Sequence, residues 1–340
     1  MESIYNKTFN ELVDYFINIG EKKFKAEQVF DWLYIKRVKS FDDMTNIKKE
    51  IIEKLKEDFY INNINLDKVE RDIEVNKYLF TLSDGEHIES VLMRHDYGTS
   101  ICISSQVGCN MGCRFCESGR LKKVRNLKAS EMIEQILKVE EDIETRITHV
   151  VIMGIGEPFD NFDNFKKFVE IINYQKGINI GARHITVSTC GIVPKIREFS
   201  EFPYQVNLAI SLHAPNNEIR DKIMPINKAY PLEVLIPEIK RYIKTTNRRV
   251  TFEYIMLSGI NDSLECANEL CDLVKGMNCY INLIPYNETN NLGYKRSKKD
   301  TISKFYDIIK KRNISVTIRR EFGSNISAAC GQLRSKKEDL

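Results

Sequence analysis

Three cysteines share one short segment of the sequence, CNMGCRFC, which contains Cys109, Cys113 and Cys116. A C-x3-C-x2-C spacing can present three thiolates on one tight loop and so hold three irons of a [4Fe–4S] cluster. The fourth iron would then stay open for another ligand, whereas electron carriers complete their clusters with four cysteines. The alternatives are a zinc site, which would want a fourth ligand close by, and cysteines that only pack in a core.

Cysteine usage and composition limit the class of protein. The chain has 340 residues and nine cysteines, an odd number with one close group, which argues against a secreted disulfide framework and favours metal or redox chemistry. No apolar run approaches the roughly 18 residues that span a bilayer, and no signal-peptide core is present. We therefore expect a cytoplasmic protein with no membrane partner.

Charge is unevenly distributed along the chain. The net charge is only +3, but basic residues outnumber acidic ones more than twofold in residues 291–340. Such a stretch on a nearly neutral protein is a candidate phosphate-binding surface, and Lys295, Arg296, Lys298, Arg319 and Arg320 belong to it. A solvated, charged helix face is the alternative.

The amino-terminal part divides into two regions. Residues 1–60 contain three segments with apolar side chains at helical spacing, FNELVDYFINIG, AEQVFDWLYIKR and IKKEIIEKLKEDF, and we predict a small helical module. Residues 61–100 form a strand-rich extension, in which KYLFTLSDGEHIESVLM alternates about an Asp84-Gly85 turn.

Residues 101–335 repeat a pattern of short apolar runs, each followed by an amphipathic stretch. Six such β-then-α units predict a parallel sheet covered by helices, an α/β fold. Reactive groups in these folds gather at the carboxyl ends of the strands. The polar and cysteine-containing motifs of this chain follow the apolar runs, as that arrangement requires. The predicted strands are SICISS, THVVIMG, HITVST, QVNLAISLH, VTFEYIML and CYINLIPY, and the predicted helices are 129–142, 163–174, 193–200, 231–244, 262–275 and 299–312.

Seven segments occur in order along the chain: CISSQVGCNMGCRFC, VVIMGIGEPFDN, ITVSTCGIVPKI, LAISLHAP, KIMPIN, NLIPYN and AACGQL. Together they resemble the RlmN/Cfr family of 23S ribosomal RNA adenine methyltransferases, which are radical S-adenosylmethionine (SAM) enzymes. The resemblance extends from about residue 8 to residue 335 and includes the helical module. It implies a radical SAM partial (β/α)6 barrel with a small N-terminal helical domain that contacts RNA.

The resemblance also implies the cofactors. Cys109, Cys113 and Cys116 would ligate one [4Fe–4S] cluster, with an exchangeable SAM on the open iron. Gly156-Glu157 matches the motif that contacts the amino group of SAM. Met153 matches a position near the sulfonium, although a core methionine is the alternative. The positions that match the SAM pocket are Gly156, Glu157, Ser188, Ser211, Leu212, His213 and Asn282.

Two further cysteines are implied to do the methyl transfer. One SAM would place a methyl group on the sulfur of Cys330, and a second SAM would supply the radical that activates it, so two SAM are used per turnover. Cys102 would then attack the Cys330 sulfur in a transient disulfide and release the methylated base. Glu89 matches the proposed proton acceptor; an exposed strand glutamate is the alternative.

Several choices stay open at this point. Val107 and Pro158 resemble the C2-methylating subgroup, and C8 methylation, the antibiotic-resistance activity, is the alternative. A [4Fe–4S] RNA-binding redox sensor is the alternative of another class. Expected partners are 23S ribosomal RNA, transfer RNA as a second candidate, and an electron donor such as flavodoxin or ferredoxin; we expect a monomer. The segment after Cys116 lacks the family's usual glycine-rich run, which affects the substrate side of the site.

Overall fold

The computed structural model describes residues 1–62, 64–289, 291–319 and 333. Within these residues no helix has the length and apolar character needed to cross a membrane. The chain begins with a helical module whose elements are β1 (Glu2–Ser3), α1 (Phe9–Asn18), α2 (Phe24–Tyr34), α3 (Lys49–Asp58) and β2 (Phe59–Tyr60).

The helical module is fixed at both ends and packs on the rest of the protein. Thr8 caps α1 through a reciprocal capping box with Glu11, which satisfies backbone groups at the start of the helix. β1 pairs in parallel with β2 and so joins the two ends of the module. Phe9 stacks on Tyr174 with ring centroids 4.5 Å apart, and the module shares one hydrophobic core with the large sheet.

Ten strands form one mixed sheet. Its antiparallel part contains β3 (Ile64–Arg71), β4 (Val75–Leu82), β5 (His87–His95) and β6 (Gly98–Cys102), in that order from the edge. The turn between β4 and β5 includes Gly85 at φ +85°, as the Asp84-Gly85 pattern predicts. β6 then pairs in parallel with β9 (His149–Ile152), so the extension and the barrel are one continuous sheet.

The parallel part has six β-then-α units and a final strand. Its strands lie in the order β6, β9, β10, β11, β12, β13 and β14. Their nearly continuous apolar runs are buried, except in the edge strand β14, which is largely exposed. The remaining strands are β7 (Gln106–Val107), β8 (Arg125–Asn126), β9 (His149–Ile152), β10 (Ile185–Thr189), β11 (Asn207–Ser211), β12 (Val250–Met256), β13 (Cys279–Pro285) and β14 (Ser315–Ile318). The remaining helices are α4 (Ala129–Ile143), α5 (Phe162–Asn173), α6 (Val193–Phe199), α7 (Asn217–Ile223), α8 (Leu232–Thr246), α9 (Leu264–Leu273) and α10 (Lys299–Lys311).

The predicted partial (β/α)6 barrel is confirmed, with three additions. In the described part of the sheet, β14 and β3 lie at opposite edges, so the parallel strands curve into an open barrel. Three features were not predicted from the sequence: β14, the short α7 and the β7–β8 ribbon. Each is too short to show a clear apolar period. These small elements matter because each one borders the site.

Candidate active site

A cavity of about 910 Å³, partly open to solvent, lies at the carboxyl ends of the parallel strands. The loop with the three cysteines forms one side of it, and the strand ends form the other. The predicted residues that line it are Cys109, Cys113, Cys116, Met153, Gly156, Glu157, Ser188, Ser211 and His213. Pro158, which bears on the choice between C2 and C8, also lines it.

The cysteine loop is tied at its base. β7 and β8 pair antiparallel on either side of it, and the Cys109 N–H donates to the Leu121 carbonyl at 3.0 Å. Gly108 has φ +71°, and a Cβ there would lie 2.2 Å from the Lys122 carbonyl oxygen. Only glycine fits this crossing of the two chain segments, which holds the loop closed.

The thiols of the loop are half-buried and suited to metal binding. Burial raises the pKa of Cys109 to about 12 and raises that of Cys113 as well, so without a metal both stay protonated at neutral pH. Among the described residues, no three His, Cys, Asp or Glu side chains converge on one point as ligands of a single ion. Thiolates that each bind a different iron of a [4Fe–4S] cluster need not converge in this way. The donor set therefore fits a cluster.

Gly156 and Glu157 form a rigid corner of the cavity. Gly156 has φ +107°, and a Cβ there would lie 2.6 Å from the Gln106 Cβ. The buried Glu157 carboxylate accepts hydrogen bonds from the backbone N–H of Cys190 at 2.7 Å and of Phe159 at 3.0 Å. Burial raises the pKa of Glu157 despite these donors. The carboxylate is thus fixed in orientation, with lone pairs left for a cationic ligand group.

Ser188, Ser211 and His213 lie side by side at the ends of β10 and β11. The two serine hydroxyls are 3.3 Å apart. His213 Nδ1 accepts the Ile255 N–H at 3.0 Å, which leaves Nε2 as the protonated nitrogen of a neutral ring. Burial, with Arg220 nearby, lowers the pKa of His213 to about 3, so the ring stays neutral at physiological pH. Its edge-to-face contact with Phe115, at 4.9 Å, joins it to the cysteine loop.

Two predicted SAM-pocket residues lie behind the cavity wall. Leu212 is fully buried in the main core. Asn282 on β13 donates to Glu253 at 2.8 Å, and Glu253 itself lines the cavity. Glu253 was not predicted from the sequence, although a charged residue within the apolar run of β12 was a signal for it. Arg319 was grouped with the basic surface but lines the cavity. Burial raises the pKa of Glu253, and the charge of Arg319 opposes that rise.

Cys190 is a further thiol at the cavity. Cys266, Cys271 and Cys279, by contrast, are buried in the main core. Burial and the Glu157 carboxylate, to which the thiol donates, raise the pKa of Cys190 well above its usual value. This protonated thiol orients Glu157 and differs in setting from the three loop cysteines.

Cys102 lies next to this cavity, in an adjoining apolar cluster, and Glu89 lies on the same face of the sheet, two residues along β5 from Val91, the strand partner of Cys102. Cys102 is the last residue of β6 and packs with Val91, Ile155 and Leu333, and the cavity residue Met153 packs against the same cluster. Glu89 is buried, not exposed, and its carboxylate lies 3.6 Å from the Lys77 ammonium. Cys330 and Arg320 lie outside the described residues.

Fold and site together define a class. An open parallel barrel that carries a three-cysteine loop after its first strand, with the loop facing a polar pocket, is the architecture of a radical SAM enzyme. The Radical SAM superfamily model matches residues 103–271, and membership implies a [4Fe–4S] cluster and SAM. The model described as "Ribosomal RNA large subunit methyltransferase N-terminal domain" matches residues 3–61.

Full-length relatives narrow the class further. The chain is 53% identical over 345 residues to "Probable dual-specificity RNA methyltransferase RlmN" of Spiroplasma citri, covering 100% of this chain and 99% of that protein. It is 54% identical to the protein of the same name from Enterococcus faecalis, covering 99% and 97%. A crystal structure of a radical SAM methyltransferase from Sphaerobacter thermophilus is 39% identical, with a TM-score of 0.94, and covers 99% of this chain and 100% of that one. The chain belongs to the RlmN family of SAM-dependent RNA methyltransferases.

Proposed function

We propose that this enzyme methylates C2 of an adenine in 23S ribosomal RNA, with an adenine in transfer RNA as a second substrate, through an S-methylcysteine at Cys330. The observation that carries the proposal is the shared position of Glu89 and Cys102 on one face of the sheet, beside the cavity that the three loop cysteines line. A site that only binds SAM would need neither the buried carboxyl group of Glu89 nor the thiol of Cys102 beside the cavity.

Different residues of the cavity would bind the cluster and SAM. Cys109, Cys113 and Cys116 would hold the cluster, and Glu157, Ser188, Ser211 and His213 would bind and orient SAM. When bound there, a reduced cluster would supply the electron that splits SAM into methionine and a carbon radical. Glu157 is suited to an ammonium group because its carboxylate is buried and already fixed by two backbone N–H donors.

Glu89 and Cys102 would complete the transfer. An amidine carbon such as adenine C2 is a poor nucleophile, so the methylene must be delivered from sulfur and the ring proton removed by a base. Glu89 would take that proton. The Cys102 thiolate would then attack the Cys330 sulfur, the bond from sulfur to the methylene carbon would break, and the carbon would keep the electron pair and take a proton to become the methyl group.

Leu333 supports the pairing of Cys102 with Cys330. Leu333 packs in the same cluster as Cys102, and its carbonyl accepts the Ser118 hydroxyl hydrogen at 2.9 Å. Cys330 precedes Leu333 by only three residues in the sequence, and this proximity along the chain is the support for pairing Cys330 with Cys102.

The partners belong to the same proposal. Single-stranded or splayed RNA would present its adenine to the cavity, since base-specific proteins read unpaired RNA bases. Lys298 and Lys299, exposed at the start of α10, are candidates for phosphate contacts, and the helical module is a second RNA-contacting surface. Flavodoxin or ferredoxin is the electron donor that we expect.

The test is in vitro methylation with anaerobically reconstituted protein, SAM, dithionite, and unmodified 23S ribosomal RNA or transfer RNA. Mass spectrometry of the digested RNA should find 2-methyladenosine. 2-Methyladenosine should be absent with Cys109→Ala protein. The exposed-surface variant Asp163→Asn, on α5 and outside the helical module, should match the wild type. Formation of 8-methyladenosine would show the C8 activity instead. SAM cleavage without any methylated adenine in either RNA would refute the proposal.

A further inference from the structure

Arg220 on α7 is the largest fully buried side chain of the described structure, with an exposed fraction of 0%. Arg220 precedes KIMPIN, which is one of the seven segments that carry the family resemblance. The residues of KIMPIN have no role in the binding steps described above. Arginine is rarely buried to this extent unless it is paired with an anion. The hydrogen-bond partners of the Arg220 guanidinium therefore indicate the role of this residue.

The guanidinium is held entirely by neutral acceptors. Nη2 donates to the Cys190 carbonyl at 2.7 Å, Nη1 donates to Asn227 Oδ1 at 2.8 Å, and Nε donates to the Leu212 carbonyl at 3.2 Å. Among the described residues, no carboxylate lies within ion-pair distance of it. These hydrogen bonds fix its position, but none of them supplies a contacting negative charge. The Asp221 carboxylate accepts from Asn227 Nδ2, on the far side of the same amide, at 2.8 Å, so the buried positive charge is only partly offset.

That charge lies directly behind the cysteine loop. α7 ends at Ile223, whose carbonyl accepts the backbone N–H of Arg114, between Cys113 and Cys116. Pro225, in the following turn, is close to Gly112 of the loop, 3.5 Å from where a Cβ would be. Nη2 of Arg220 also binds the carbonyl of Cys190, a residue that lines the same cavity as the loop cysteines.

We propose that Arg220 is a positioning residue that supplies the counter-charge of the iron–sulfur site and raises the reduction potential of a cluster bound there. This inference rests on the proposed cluster site. Three thiolates give a bound [4Fe–4S]²⁺ cluster a net negative charge, and one electron from a reductant makes it more negative by one unit. A buried positive charge nearby stabilises the reduced form more than the oxidised form, because the screening by protein is weak.

The experiment is a redox titration with dithionite of reconstituted full-length protein without SAM, monitored by EPR. Arg220→Gln removes the charge, Arg220→Lys keeps it, and Arg71→Gln, at an exposed arginine on the edge strand β3, is the matched control. We expect Arg220→Gln to retain iron and sulfide while the equilibrium constant for one-electron reduction falls at least tenfold, which is about 59 mV. Arg220→Lys should keep most of the wild-type potential, and Arg71→Gln all of it.

A second variant keeps the test decisive if Arg220→Gln does not fold. The double variant Asp221→Asn with Asn227→Asp moves the carboxylate from position 221 to position 227, 2.8 Å from Nη1, and keeps one amide and one carboxylate hydrogen-bonded to each other. The guanidinium then gains a contacting counter-charge, and the potential should again become more negative. A fully loaded Arg220→Gln or double-variant protein with wild-type potential would overturn the inference. Wild-type protein that binds no iron would instead refute the cluster site itself, and the inference with it.

Discussion

Glu89 and Cys102 lie on the same face of two neighbouring antiparallel strands. Cys102 pairs with Val91 across β5 and β6, and Glu89 is two residues from Val91 along β5. Diagonal neighbours of this kind are about 7–8 Å apart, close enough for both to reach one ligand ring. The opposite face of the same strands carries Leu92 and Ile101 of the main core. The register of one strand pair thus sets both proposed groups toward the barrel.

Glu89→Gln should abolish RNA methylation and leave SAM cleavage intact. The amide keeps the shape of the buried side chain but cannot take the ring proton, and loss of a positioned base costs about 10²–10⁴-fold in rate. The measurement is a parallel assay of methylated adenosine and of 5′-deoxyadenosine. Glu70→Gln is the control, because Glu70 also pairs with Lys77, at 3.1 Å, but has no proposed role. Normal methylation by Glu89→Gln protein would exclude Glu89 as the base.

Cys113→Ser and Cys190→Ser should differ in cluster content although both thiols line the cavity. Cys113 belongs to the proposed ligand set, so its loss should lower bound iron to less than half. The Cys190 thiol donates to Glu157 and stays protonated, so the serine variant should keep full iron and weaken only SAM binding. Iron analysis and visible absorbance separate the two. Equal loss of iron in both variants would mean that Cys190 is a ligand and that the three-cysteine assignment is wrong.

Gly108→Ala should prevent the protein from binding the iron–sulfur cluster. Its Cβ would lie 2.2 Å from the Lys122 carbonyl oxygen, so the two sides of the cysteine loop must move apart. Gly85→Ala separates this clash from backbone strain, because Gly85 also has positive φ but nothing within 4 Å of its Cβ position. The control should lose about 1–2 kcal/mol of stability and bind iron normally. Normal iron content in Gly108→Ala would show that the loop closes without this crossing.

The sequence predicted every helix except α7, six of the parallel strands and the cysteine loop, because long apolar periods and a rare cysteine spacing are local signals. Most of the cavity residues were identified only through the resemblance to a known family, and local signals could not show that Glu253 and Arg319 would join them. Glu253 and Arg319 come together only because β12, β13 and β14 pair in register. The burial of Arg220 could not be predicted for the same reason, because nothing in the sequence of its own helix shows that a cation will be buried there.

Replacing either of the two cysteines of the proposed methyl transfer should stop the reaction, but at different steps. Cys330→Ala removes the methyl carrier, so no methylated RNA should form although SAM cleavage persists. Cys102→Ala leaves the carrier intact but removes the thiolate that attacks its sulfur. The enzyme should then stall as a covalent protein–RNA adduct, visible as a slowly migrating band in a denaturing gel that ribonuclease removes.

Cys279→Ala is the matched control for Cys102→Ala, because Cys279 is also a buried strand cysteine but packs in the main core, away from the cavity. It should turn over normally and form no adduct. The double variant Cys102→Ala with Cys330→Ala should also lack the adduct, since the link to RNA runs through the Cys330 sulfur. If Cys102→Ala turned over at the wild-type rate, the resolving thiol would not be needed, and the methyl group would have to leave Cys330 by another route. If the adduct formed in the double variant, the carrier would be a different residue, and the roles of both cysteines would have to be reassigned.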